Sequence, residues 1–229
     1  MDKEISTKSQ MGALLRLFTP SIGRKVVMAL TGLFLVVFLC EHLYGNLEMY
    51  KNDGGVSFEW YTNLLTHNLI IRTIEYVFFG AIFLHAIYAL LITLKNRKAR
   101  PIRYEMSKQS GNSTWFSRNM GLTGSVILFF LVVHLRTFFF EHRFLTPTED
   151  MYHSVITAFH QWWYAALYLV SVVFLGFHLN HGFQSAFQTL GLNNKFYAPV
   201  IKACGTAFAI IMTIGYASFP IVFYFEILK

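Results

Sequence analysis

Charge is what this chain has least of. Charged residues make up 14% of its 229 residues, against 55% hydrophobic. A water-soluble domain carries about a quarter charged, so the polar surface such a fold needs is missing. Cysteine is scarce as well. Cys40 and Cys204 are the only two, each inside an apolar run. They are too few for a disulfide framework and read as buried packing thiols. No flavin or iron–sulfur motif is present either. What charge there is nets +7. In a soluble protein that would point to nucleic acid, but here the basic residues cluster between apolar runs, which points to membrane topology.

A bilayer core takes roughly 20 apolar residues as helix. Five runs meet or approach that length. They are Val26 to Leu47, interrupted by Glu41; Tyr76 to Leu94; Asn119 to Leu135, extending to Phe140 past Arg136; Ser154 to Asn194; and Ala203 to Phe225. Residues 1–25 are expected to form a polar, basic cytoplasmic segment and residues 26–229 one five-helix transmembrane domain. No small-residue cleavage site follows the first run, so it reads as a retained helix and not a signal peptide. The fourth run exceeds one span but leaves no room for a polar turn. One long helix projecting past the bilayer is expected there, ended by Gly191-Leu192-Asn193-Asn194-Lys195. Lys3, Lys8, Arg16, Arg24 and Lys25 precede the first run. Seven more basic residues from Lys95 to Arg118 lie between the second and third, and Lys195 and Lys202 between the fourth and fifth. The other side mixes fewer basic residues with most of the acids. The positive-inside rule then places the N-terminus in the cytoplasm and the C-terminus outside.

The runs contain a repeat. The first reads Thr31-Gly32, nine residues, then His42-Leu43; the third reads Thr123-Gly124, nine residues, then His134-Leu135. His85 and His178 lie in the second and fourth runs, offset by 93 where the first pair is offset by 92. The first two helices therefore repeat as the third and fourth, in the same sense. A pseudo-twofold axis along the membrane normal follows, with a peripheral fifth helix outside it. Residues related by such an axis face each other across it, His42 to His134 and His85 to His178. His42 lies 17 residues beyond Lys25 and His134 16 beyond Arg118, so both sit roughly 25 Å from the cytoplasmic edge. His85, ten residues before Lys95, sits about 15 Å from it.

Ionisable groups inside a membrane are costly and tend to mark function. Two neutral imidazoles on either side of an iron porphyrin complete six-coordination and favour electron transfer over oxygen chemistry. Two such pairs at two depths would make an electron path across the bilayer through two b-type haems. Covalent c-type haem is excluded, since Cys-x-x-Cys-His is absent. Gly32 and Gly124 fall at the level of the inner pair, where a bulky side chain would meet a macrocycle; ordinary small-residue helix packing accounts for them as well. His67, His142, His153 and His160 fall near the outer surface. His181, three residues after His178, is the rival ligand, but the repeat offset favours His178.

At these residues the chain resembles the di-haem cytochrome b membrane-anchor subunit of succinate:quinone oxidoreductases, the succinate dehydrogenases and fumarate reductases. The likeness covers about residues 21 to 191. It rests on Ser21-Ile22-Gly23-Arg24-Lys25, Thr31-Gly32-Leu33-Phe34-Leu35 leading to Glu41-His42-Leu43, Leu84-His85-Ala86-Ile87-Tyr88, Val133-His134-Leu135, and His178 followed at four residues by Gly182-Phe183. The run from His181 to Gly191 is similar to the anchors of bacteria that use one polypeptide for five helices. The resemblance implies haem ligands at His42 and His134 (outer) and His85 and His178 (inner). It implies a bacterial cytoplasmic membrane, a flavoprotein subunit and an iron–sulfur subunit docked on the cytoplasmic face, and a quinone, menaquinone in the common two-haem form. Dicarboxylate catalysis would lie on a partner chain. Relatives with an outer quinone site carry a glutamate between the first two helices; Glu59 stands at that distance, and Glu75 is a second candidate. Some relatives carry a glutamate two residues before the fourth-helix ligand, where this chain has Gly176. Arg24, Lys25 and Arg118 could pair with haem propionates, besides fixing topology.

Two other classes compete. A histidine-bound iron oxidase or desaturase gathers about eight histidines into boxes at helix ends, and only His178 and His181 are box-like here. A haem-free transporter would use the histidines as proton relays.

Overall fold

Long apolar runs can cross lipid only if their backbone groups bond within the segment, and here they do so as helices. The computed structural model describes residues 21–98, 118–146, 150–192 and 194–227. Within these, α1 covers Ser21–Leu47, α2 Val56–His67, α3 Leu69–Lys98, α4 Met120–His134, α5 Met151–Phe159, α6 Trp162–Thr189 and α7 Tyr197–Tyr224. Five are long and apolar enough to cross a membrane: α1 with the 3-10 turn after it, α3, α4 with its extension, α6 and α7. The fold is an all-α, multi-pass membrane bundle. Leu30, Val37, Phe83, Leu90, Phe129 and Ile214 are exposed on its outward faces, as suits a surface that meets lipid. Cys40 and Cys204 share that surface. Both are free and exposed, so they are not the buried thiols their apolar neighbours suggested; an apolar run says lipid or core without saying which.

Consecutive spans run in opposite directions. Arg24 and Lys25, the Lys95–Lys98 end of α3, Arg118, Lys195 and Lys202 therefore gather at one end of the bundle. Lys3, Lys8, Arg16, Arg100, Arg103, Lys108 and Lys229 lie outside the described residues. So does the expected N-terminal segment, apart from residues 21–25, which already belong to α1.

The fourth apolar run is not one long helix. It breaks at His160 and Gln161, where Gln161 is extended (φ −80°, ψ 112°) and caps the start of α6. The residues before the break form α5, which folds across the outer end. There Val155 and Phe159 are buried in a cluster with Phe58, Tyr164, Tyr168 and Phe223. Continued straight, α5 would hold these side chains in water, and that lost burial explains the turn. The segment after α1 is not a plain loop either. It contains α2, which begins at Gly55 with φ +91°, where a Cβ would stand 2.4 Å from the Tyr152 ring of α5. Beyond His134, α4 widens into a π-helix over Leu135–Leu145. Thr146 N there donates to the Glu141 carbonyl, five residues back (2.8 Å).

The fifth span, α7, flanks the repeat, packing along α6 and touching the outer half of α1. Small residues allow the approach. A Cβ on Gly176 would lie 2.2 Å from Thr213 Oγ1, and one on Gly215 would lie 2.8 Å from Leu43 Cδ2. Gly176 therefore has no room for a longer side chain, because α7 fills the place. The Thr213 hydroxyl donates to Ala209 O (2.7 Å), which holds it there. Gly176→Ala is expected to destabilise the bundle by about 1–3 kcal/mol. Adding Thr213→Ala should recover most of the loss in thermal unfolding in detergent, and simple additivity of the two changes would refute this contact.

Candidate functional site

The repeat brings equivalent residues together. Across the inner level, the rings of His85 (α3) and His178 (α6) have centroids 6.2 Å apart with planes at 68°. Across the outer level, His42 (α1) and His134 (α4) are 5.8 Å apart at 88°. His181 belongs to neither pair.

A threonine on the neighbouring helix stands against Nδ1 of each inner ring. Thr31 Oγ1 donates its proton back to Val27 O (2.8 Å), the usual habit of a threonine within a helix. Its oxygen lies 3.1 Å from His85 Nδ1 and can accept from that nitrogen when it carries the ring hydrogen. The other copy repeats this: Thr123 Oγ1 donates to Met120 O (3.1 Å) and meets His178 Nδ1 at 3.3 Å. A ring with its hydrogen on Nδ1 keeps a bare lone pair on Nε2. Gly32 and Gly124 stand directly over these rings. A Cβ on Gly32 would come 3.3 Å from His85 Cε1, and one on Gly124 would come 3.7 Å from His178 Cε1. At Gly32 this approach to the neighbouring imidazole is tighter than an ordinary contact, whereas at Gly124 it is ordinary van der Waals contact.

The outer rings are held differently. His134 Nδ1 is 2.7 Å from the Tyr168 hydroxyl on α6. His42 stacks on Phe38, one turn earlier on α1 (5.3 Å, 15°), and lies 6.1 Å from the Tyr216 ring of α7. Tyr216 itself donates to Leu39 O (2.7 Å).

These residues suit a haem at each level. A metal–imidazole bond is about 2 Å and a ring centre lies about 1 Å behind its nitrogen, so two imidazoles on one iron stand about 6 Å apart centre to centre. Both pairs have that spacing. Nδ1 has a partner in three of the four rings, His85, His178 and His134, and an engaged Nδ1 is the arrangement in which histidine binds metal through its other nitrogen. Among the described residues, no three His, Cys, Asp or Glu side chains come together as a metal cluster. A porphyrin, which brings four nitrogens of its own, needs only two protein ligands, whereas a histidine-box iron site needs many.

The remaining candidates lie at the two ends. Arg24, Lys25 and Arg118 are at the inner end, Arg24 half-buried and the other two exposed. Glu75 is bound to Arg72 Nη1 (3.0 Å). Glu59 lies on α2, and its Oε1 accepts the Tyr152 amide at the start of α5 (2.7 Å). His67, His142, His153 and His160 all lie at the outer end, His153 paired with Asp150 (2.7 Å) and His142 with Ser154 (3.1 Å).

Glu59 and Asp150 form a coupled carboxyl pair. Burial first, and then the neighbouring Asp150, push Glu59 above the usual carboxylate range. Burial also pushes Asp150 up, but bonds from Glu59 and His153 outweigh it and hold Asp150 low. The raised Glu59 stabilises the fold at low pH and loses that contribution as pH rises through its folded value; the depressed Asp150 does the reverse. Between the two values Glu59 is protonated and Asp150 ionised, and the pair's contribution to stability is greatest. The thermal unfolding temperature should therefore be highest in that window and fall above it, and Glu59→Gln should remove the upper limb. A flat profile in the unaltered chain would show that the two carboxyls do not share a proton.

Sequence reasoning passed over three features. The threonine hydroxyls lay within the repeated Thr-Gly motif, and a threonine bonded back along its own helix could have signalled a free acceptor. Tyr168 and Tyr216 had no such signal, because neither belongs to the histidine spacing.

Compared with known proteins, residues 93–215 match the family described as the succinate dehydrogenase/fumarate reductase transmembrane subunit, which is more than half of the chain. No curated protein and no solved structure matches it.

Proposed function

Since the chain belongs to the succinate dehydrogenase/fumarate reductase transmembrane-subunit family, we propose that it is a cytochrome b anchor whose four paired histidines hold two b-type haems. It carries electrons between a cytoplasmic iron–sulfur subunit and a membrane quinone, menaquinone by resemblance. Succinate or fumarate chemistry belongs to a flavoprotein partner. A haem with two histidine ligands supplies reversible one-electron transfer with no open coordination site.

The observation that carries the reading is the pair of repeat-related ring contacts, 5.8 Å and 6.2 Å between centroids, with both inner Nδ1 atoms already bonded. His42 and His134 supply Nε2 at the outer level, and His85 and His178 at the inner level. Thr31 and Thr123 hold the inner rings in the ligating tautomer, and Gly32 and Gly124 give those rings space. Arg24, Lys25 and Arg118 offer cations to inner propionates. The basic end of the bundle faces the cytoplasm of a bacterial inner membrane, which leaves the C-terminus outside. At the outer end Glu59, kept above the ordinary carboxylate range, accepts a proton from quinol, and Glu75 is its alternate.

Reduced-minus-oxidised absorption spectra of purified protein test this. His42→Ala and His134→Ala should each remove the same b-haem component, and His85→Ala and His178→Ala the other. A colourless unaltered protein would end the reading, and loss of one shared component from His42→Ala and His85→Ala would refute the pairing. Glu59→Gln should slow quinone turnover on the order of 100-fold with both haems retained; unchanged turnover dismisses Glu59.

A further inference from the structure

The repeat treats the two ring pairs unequally. At the inner level both Nδ1 atoms face threonine hydroxyls, one from each copy. At the outer level one ring has a different partner, the phenol of Tyr168. Tyr168 lies ten residues before His178 on α6, and the 93-residue offset carries that position to Glu75 on α3. The Glu75 carboxylate is taken by Arg72, so the phenol has no counterpart in the other copy.

Resting on the reading of two bound haems, we propose that Tyr168 is a positioning residue that lowers the reduction potential of the outer haem through His134. Metal bound at Nε2 of a neutral imidazole leaves the hydrogen on Nδ1, so His134 must donate across the 2.7 Å contact and Tyr168 must accept. The Tyr168 proton then points elsewhere. The Tyr164 oxygen, 3.2 Å away and one turn earlier on α6, receives it. Ligation at one nitrogen thus sets the direction of a two-phenol chain.

Tyr164 and Tyr168 are 3% and 7% exposed, so water does not compete for these bonds. Phe130 and Phe159 meet the Tyr168 ring edge to face at 4.7 and 4.9 Å and keep it in place. An acceptor at Nδ1–H raises the donor strength of Nε2, and a phenol polarised by a second phenol is a better acceptor than one alone. A stronger axial donor favours the oxidised iron and lowers the potential.

The test is a redox titration of the purified haem-loaded protein, with the outer component assigned as the one lost in His134→Ala. Tyr168→Phe keeps the buried ring and deletes the acceptor. It should raise the outer potential by an amount on the order of tenfold in the reduction equilibrium, about 59 mV for one electron, with the inner potential unmoved. Tyr164→Phe should raise it less, in the same direction. An outer potential unchanged in Tyr168→Phe, with both haems present, overturns this role and leaves the anchor reading standing; an unaltered protein without haem overturns both. Should Tyr168→Phe fail to retain the outer haem, Tyr164→Phe decides, and no shift there overturns the proposal.

Discussion

The constraint on which the structure depends is the burial of imidazoles in a bundle surrounded by lipid. A polar ring in that setting must be satisfied by something fixed. At the inner level the something is a threonine on the partner helix of the same pair. The threonine of one helix engages the histidine of the next, and the same bond recurs in the other copy at nearly the same length. The two inner rings then lie 6.2 Å apart between centroids. Glycine beside Thr31 lets the His85 ring approach the neighbouring backbone closely. One short sequence motif, used twice, so gives each inner ring its Nδ1 partner.

The remaining elements close the two ends and one side of this arrangement. α7 covers α6 and the outer half of α1, and its Tyr216 ring lies beside His42. α5 and α2 roof the outer end, joined through Glu59 and the Tyr152 amide. The aromatic cluster beneath that roof contains both tyrosines of the chain running from His134. The outer level is thus embedded in phenols and phenyl rings, whereas the inner rings rest on threonines. A symmetric scaffold carries two chemically different environments.

Most of the fold was legible from hydrophobic length, because lipid leaves so few alternatives for a backbone. The five spans followed from the five runs, and the axis from the His42/His134 and His85/His178 offsets. The break at His160 and Gln161 was not legible. It carries neither proline nor glycine, and it arises because Val155 and Phe159 find burial across the outer end. The exposure of Cys40 and Cys204 was likewise hidden, since a lipid-facing side and a core-facing side look alike in composition. At the site, the histidines announced themselves by repeating. Tyr168 did not, because its contact with His134 joins two helices at a position the repeat fills with Glu75.

An experimental density map of the purified complex in detergent or lipid tests the central claim most directly. Planar density is expected in two places, between the rings of His42 and His134 and between those of His85 and His178, with each Nε2 directed at its centre. Rings in direct contact with nothing between them, or density ligated by His181 in place of His178, would contradict it.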